Sequence, residues 1–392
     1  MAAATALVVG ALSACTGADA DQRSNAPGDT RSSHEPSPTT EPVQLASNVD
    51  DMAEVPVDTL VSFEAIGGVL EKVTLSDGEG NQIAGDLAEA GAGWTASERL
   101  EPGTTYTLAA VARNEAGGTE QFSREFTTEE LTLDQQTFAS IAPLDGETVG
   151  IGMPVVVHFD LAVSDHATFE EHMSVTSTPA QEGSWHWVSD HEVHYRPAEY
   201  WQPGTKVQVD LDINALPAGN GIYGQDARNI SFDVGEAVVS KVDAAAHTMQ
   251  TYVNGKLVRT MQITTGKDGF TTRSGVKVIM EKHRRKRMNS ETVGIPAGSA
   301  ESYDIANVEY AMRVTNSGEF IHAAPWSAGS QGSANVSHGC TGMSLADAKW
   351  LYDLSKRGDV VEFTGTDRPM TLYNGYGDWN ASFSEYAEGS AL

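Results

Sequence analysis

Between residues 50 and 235 the sequence runs in short apolar–polar alternations, among them Leu70–Leu75, Tyr106–Val111, Val155–Phe159 and Val207–Leu211, cut apart by Gly, Asp and Pro turns. A period of two sends successive side chains to opposite faces, so these runs are half-buried β-strands rather than amphipathic helices. A weak repeat divides the region. Glu101-Pro102-Gly103-Thr104-Thr105-Tyr106 and Gln202-Pro203-Gly204-Thr205-Lys206-Val207 stand 101 residues apart, each a turn feeding an alternating strand. We expect Ig-like β-sandwiches over 50–128 and 129–235, with Trp94 and Trp187 as core anchors. Neither half shows a catalytic constellation. His186, His191 and His194 suggest a metal site, but strand alternation is expected to put them on opposite faces, as surface or satisfied core histidines.

Strands resume at Val238. Asn254-Gly255 is a hairpin turn between Met249–Val253 and Leu257–Ile263, and further strands are expected at Val276–Met280 and Met312–Val314. Ser344 caps a helix with Asp347 at its third position. Leu345, Ala348, Leu351 and Leu354 share one side, Gly358 ends the helix, and Val360–Phe363 is a last strand. The expected fold class is mostly β: two sandwiches, then a β-rich domain over 236–366 with a short helix, then an extension over 367–392 packing on that domain.

Residues 1–14 form a short apolar run ending in small residues, too short to cross a bilayer and typical of an export leader. Leu12-Ser13-Ala14-Cys15 resembles a bacterial lipobox, which implies cleavage before Cys15, lipid on its thiol, and localisation to the outer face of the cell membrane. No Lys or Arg precedes the run. Residues 15–49 are polar and proline-punctuated and read as a disordered tether. The chain carries 54 acidic against 25 basic residues, a formal charge of −29, which argues against nucleic acid as a partner.

Cys15 and Cys340 are the two cysteines. With Cys15 lipidated no disulfide can form, and Cys340 is a free thiol flanked by His322 and His338 in a Gly-rich stretch. A thiol with pKa near about 8.5 is a few per cent thiolate at neutral pH, so a neighbouring imidazole would make it a nucleophile. A zinc site would need a fourth ligand that the stretch lacks. A papain-like enzyme would place its Cys before its His. A buried structural Cys fits poorly with Ser-His-Gly as neighbours.

His322, fourteen residues, then Ser337-His338-Gly339-Cys340 resembles the signature of the YkuD-type L,D-transpeptidases, cysteine enzymes that cross-link peptidoglycan stem peptides. Thr341 stands where that family has a hydrophobic residue, and Gly342 where it has Asn or Arg. His322-Ala323-Ala324-Pro325-Trp326 and Gly375-Tyr376-Gly377-Asp378-Trp379-Asn380 resemble further family segments.

The resemblance implies Cys340 as nucleophile, His322 as proton acceptor and donor, the Ala323 carbonyl as the group orienting that imidazole, and no cofactor. We read the Gly339 and Cys340 N–H groups and the Tyr303 hydroxyl as the oxyanion site, and His338 as structural or auxiliary. Met288 and Tyr303 would lie on a lid, with Ser317, Gly318, Trp326, Ser337 and Gly342 bordering the substrate. The implied activity is 3→3 cross-linking of peptidoglycan stem peptides, with carbapenems as covalent inhibitors. An L,D-carboxypeptidase, or a degenerate wall-binding lipoprotein, would share many of these features. Some relatives carry a calcium loop in the second sandwich. Here Pro217–Gly224 lacks its carboxylates, so no metal is expected. The basic run 282–287 is either a solvated loop or a lid surface that steers anionic stems.

Overall fold

The computed structural model describes residues 41–392. The predicted leader, Cys15 and the front of the tether lie outside the described residues. The tether reading of 15–49 runs too far, because the first sandwich already begins with the strand Gln44–Ser47, antiparallel to Ser62–Ile66. Val43 and Val49 flank that strand and are buried in the core. Each such side chain contributes on the order of 1.5–3 kcal/mol, enough to order a segment whose composition reads as polar.

Each sandwich has two four-stranded sheets closing on its own core, and the second adds a small three-stranded sheet. The repeated turns are equivalent. Gly103 and Gly204 both take positive φ, and their N–H groups donate to the carbonyls of Glu129 and Val234. Trp94 is buried as expected. Trp187 is not a core anchor: it is half-buried beside a strand bulge, stacks on His166, and donates its indole N–H to Glu170. Trp185 and Trp201 fill the core instead.

The histidines also differ from expectation in placement. His186 and His194 are direct cross-strand partners and so share a face. That face meets the C-terminal segment, where His186 Nδ1 bonds the Tyr386 carbonyl at 2.7 Å and His194 Nδ1 bonds Asp378 at 2.8 Å. His191 bonds the Phe159 carbonyl. Each is held at Nδ1, although the buried His186 Nε2 has no partner, and among the described residues no cluster of His, Cys, Asp and Glu is arranged to hold a metal ion.

The third unit is a nine-stranded sheet in the order Gly275–Val278, Val360–Thr364, Val238–Asp243, Thr248–Val253, Lys256–Thr264, Thr341–Met343, Phe320–Ala323, Asp304–Arg313, Glu281–Asn289. Asn254 and Gly255 both have positive φ, the conformation of the expected tight hairpin. The helix Leu345–Leu354 packs beside the site strands. Ser344 Oγ accepts from the Asp347 N–H, and Ala348 and Leu351 are buried while Leu345 is exposed. It ends at Leu354, before Gly358. Gly358 serves a domain contact: a Cβ there would lie 2.8 Å from the Gly150 nitrogen of the second sandwich.

Residues 367–392 do more than pack on the third domain. Met370 N–H donates to the Ser274 carbonyl and the Asn380 amide brackets Val276, both in the third domain. Trp379 then donates to the Gly152 carbonyl, and Arg196 lies over the rings of Trp379 and Tyr386, both contacts to the second sandwich. The extension is a strap joining two domains.

Candidate active site

Ile321, His322 and Ala323 pair in parallel with Thr341, Gly342 and Met343. A parallel pair needs a long return connection, here residues 324–340, which brings the chain back to start its second strand beside the first. Paired residues share a sheet face, and every second residue returns to it. Cys340, two before Gly342, therefore lies on the face of His322. Ala324 belongs to the same set, as does Thr264, which pairs with Gly342 from the other side.

These residues floor a cavity of about 280 Å³ that also takes in Met288, Tyr303, Trp326, Ser337 and His338. A second cavity of about 260 Å³ meets the first at Cys340, Met288 and Tyr303, and is bordered by Gly318 and Phe320. Of the expected border residues, Ser317 lines neither. Its N–H and hydroxyl are both engaged by the Asn374 amide of the C-terminal strap.

The His322 ring is buried, stacks on Trp326, and donates from Nδ1 to the Ala323 carbonyl at 2.8 Å. That bond fixes the tautomer and leaves Nε2 as a free base. Burial holds the imidazole below its ordinary pKa. Burial also pushes the Cys340 thiol up to about 11, with the Phe320 N–H, Lys277 and Arg313 opposing the rise and Glu319 adding to it. With burial raising the thiol and lowering the imidazole, His322 has to take the thiol proton as the sulfur attacks, the role the sequence reading gave it. The thiol makes a long contact to the Gly318 carbonyl, 3.7 Å from Sγ.

Gly339 is also corrected. Its N–H donates to Ser337 Oγ at 3.1 Å, and Ser337 Oγ in turn donates to the Cys340 carbonyl at 2.6 Å, so this N–H is committed to shaping the turn. Of the expected oxyanion donors, the Cys340 N–H and the Tyr303 hydroxyl remain. Burial and the Cys340 charge raise Tyr303 to about 12, so it keeps its proton. His338 donates to Glu301 at 2.7 Å and packs against the rings of Phe270 and Tyr303, a supporting position. Gly342 suits the close strand packing, since a Cβ would stand 2.8 Å from Ala324 Cβ and 3.2 Å from Thr264 Cγ2.

A family model described as a bacterial Ig domain matches residues 52–217, and one described as the L,D-transpeptidase catalytic domain matches 237–363. L,D-transpeptidase 2 of Mycobacterium tuberculosis is 35% identical over 351 residues, 89% of this chain and 85% of that protein. The chain belongs to the L,D-transpeptidase family. L,D-transpeptidase 5 of the same species is 32% identical over 88% of this chain and 76% of its own. A solved LD transpeptidase, LdtMt1 in complex with imipenem, aligns at 35% identity with TM-score 0.52, covering 59% of this chain and 99% of that one.

In this L,D-transpeptidase the basic run is not a loop, and its charge is only partly paired. It lies within the edge strand Glu281–Asn289, where Arg284 and Arg285 face Glu309 and Arg287 pairs with Asp304. Sequence reading missed the groups behind the nucleophile. Thr272 Oγ1 donates to the Gly339 carbonyl, and Glu319, buried between Gly318 and Phe320, holds Lys277 and Arg273. A carboxylate at the entrance to the apolar Phe320–Ala323 strand was the available signal.

Proposed function

We propose that this L,D-transpeptidase forms 3→3 peptidoglycan cross-links through a thioester on Cys340. The observation that carries this reading is the His322 ring bonded at Nδ1 to its own strand's carbonyl, with the unprotonated Nε2 on the face and in the cavity of Cys340. His322 takes the thiol proton as Sγ attacks the carbonyl between an L-centre diamino acid and the terminal D-Ala of a tetrapeptide stem. The D-Ala amine leaves with that proton. The side-chain amine of a second stem attacks the thioester, gives up a proton to restore the thiol, and forms the cross-link. The Cys340 N–H and the Tyr303 hydroxyl stabilise the oxyanion, each by roughly 3 kcal/mol.

Met288, Tyr303 and Trp326 give the cavity a largely apolar lining, which favours transfer over hydrolysis by holding water beside the thioester less firmly. Mass spectrometry of tetrapeptide digests separates the two: dimer means transferase, and tripeptide alone means carboxypeptidase. We also propose carbapenems as covalent inhibitors, supported by the imipenem complex of the relative, and a lipid anchor on Cys15 that places the enzyme outside the cell membrane.

A further inference from the structure

Glu319 lies between the two residues whose backbones meet the nucleophile. The Cys340 thiol reaches the Gly318 carbonyl, and the Phe320 N–H points at the sulfur. The Glu319 carboxylate is itself buried and clamped. Lys277 Nζ donates to Oε2 at 2.5 Å, Arg273 Nη1 to Oε1 at 2.8 Å, and the Arg273 backbone N–H to Oε1 at 3.2 Å. Its backbone N–H is fixed to Thr315 Oγ1 at 2.9 Å. A Cβ on Gly339, the residue before the nucleophile, would stand 3.7 Å from Glu319 Cγ, so the clamp sits directly under the turn that presents Cys340.

The charges do not cancel. Glu319 acts on the sulfur more strongly than Lys277 and in the opposite sense, so the carboxylate opposes the thiolate and the lysine offsets it, in a water-poor region where charge interactions are strong. A fully buried lysine is costly to keep and needs a reason. The other titratable groups around the thiol are His322 and His338 in the first cavity, Lys286, Arg287 and Arg313 in the second, and Tyr303 shared by both.

Resting on Cys340 as the nucleophile, we propose that Lys277, Glu319 and Arg273 form a positioning cluster that holds the Gly318–Phe320 backbone against the sulfur, with its cations offsetting the Glu319 charge that would otherwise oppose the thiolate as it forms. None of the three lines either cavity.

The test reads the thiol directly, using the full chain and the uncharged reagent methyl methanethiosulfonate. Sγ forms a disulfide with the methylthio group, methanesulfinate leaves and the thiol proton goes to solvent. Peptide mass mapping reports the rate at Cys340 separately from Cys15. At pH 7, Lys277→Met leaves the Glu319 charge less compensated and should slow modification roughly tenfold, while Lys277→Arg should restore most of the rate. Glu319→Gln removes the carboxylate that opposes the thiolate and should speed it. The Lys277→Met deficit should also narrow as pH passes through about 8, where burial releases the wild-type lysine's proton. If Lys277→Met does not fold, the faster rate of Glu319→Gln still decides, since a cluster that only supports the fold would give a slower rate or none of these changes. Equal rates in all variants, or slowing in both Lys277→Met and Glu319→Gln, overturn the proposal. Neither result bears on whether Cys340 is the nucleophile, which Cys340→Ala tests alone.

Discussion

His322 sits opposite Gly342 in a parallel strand pair, and this register puts its imidazole on the face of Cys340, two residues earlier on the partner strand. The spacing of the motif is therefore a matter of parity: a one-residue slip would turn the base to the opposite face of the sheet.

Gly342 bears on this pair through space. Adding a methyl in Gly342→Ala drives Cβ against Ala324 at 2.8 Å and Thr264 at 3.2 Å, so the variant should lose about 1–3 kcal/mol in denaturant titration and acylate more slowly. Ala324→Gly in the same chain should recover much of the loss. An unaltered single variant would mean the strands separate at no cost.

Burial keeps His322 neutral to a lower pH than a free imidazole. The acidic limb of the substrate acylation rate should then fall below pH about 6.5. Because the thiol keeps its proton up to about 11, the rate should show no rise from a thiol ionisation through pH 8–9. Stability has the corresponding sign: the neutral buried ring contributes above the unfolded histidine value, and that contribution is lost as pH falls through the depressed folded value. Stopped-flow acylation against pH checks the limb, and a midpoint at or above 7 would contradict the buried-base account.

The arginines of the edge strand are paired with Glu309 and Asp304, and exposed pairs of this kind contribute about 0–1 kcal/mol. Replacing Arg284, Arg285 and Arg287 together by Gln should leave acylation by a stem peptide within about twofold at low salt, since Glu309 and Asp304 already offset two of the three charges. A large drop that salt abolishes would restore a steering role to this strand.

The proposed anchor is tested by fractionation. Cys15→Ala should move the protein from the membrane fraction to the soluble or secreted one, because each buried lipid CH₂ contributes about 0.8 kcal/mol. Unchanged fractionation would remove the lipid.

Much of this architecture could be read in advance because its causes are local. Alternation marked the strands, Asn254-Gly255 the hairpin, Ser344 and Asp347 the helix start, and the His322–Cys340 spacing the site. What escaped depends on partners far along the chain. Glu319 meets Lys277 across 42 residues, and His194 meets Asp378 across 184, so no window of sequence displays either pair. Trp187 and Trp185 share the same strand parity, and only the bulge and the reach to Glu170 decide which indole fills the core. The Gly339 N–H looked free for an oxyanion because the turn that gives it to Ser337 is a property of the folded loop.

The central claim is that Cys340, with His322 as base, accepts an acyl group from outside the chain. Intact-mass measurement of the folded protein after exposure to a carbapenem tests it most directly. The account predicts a single adduct of the drug's mass on the wild type, mapped to Cys340, and none on Cys340→Ala. An unmodified wild type, or an adduct that survives in Cys340→Ala, would contradict it.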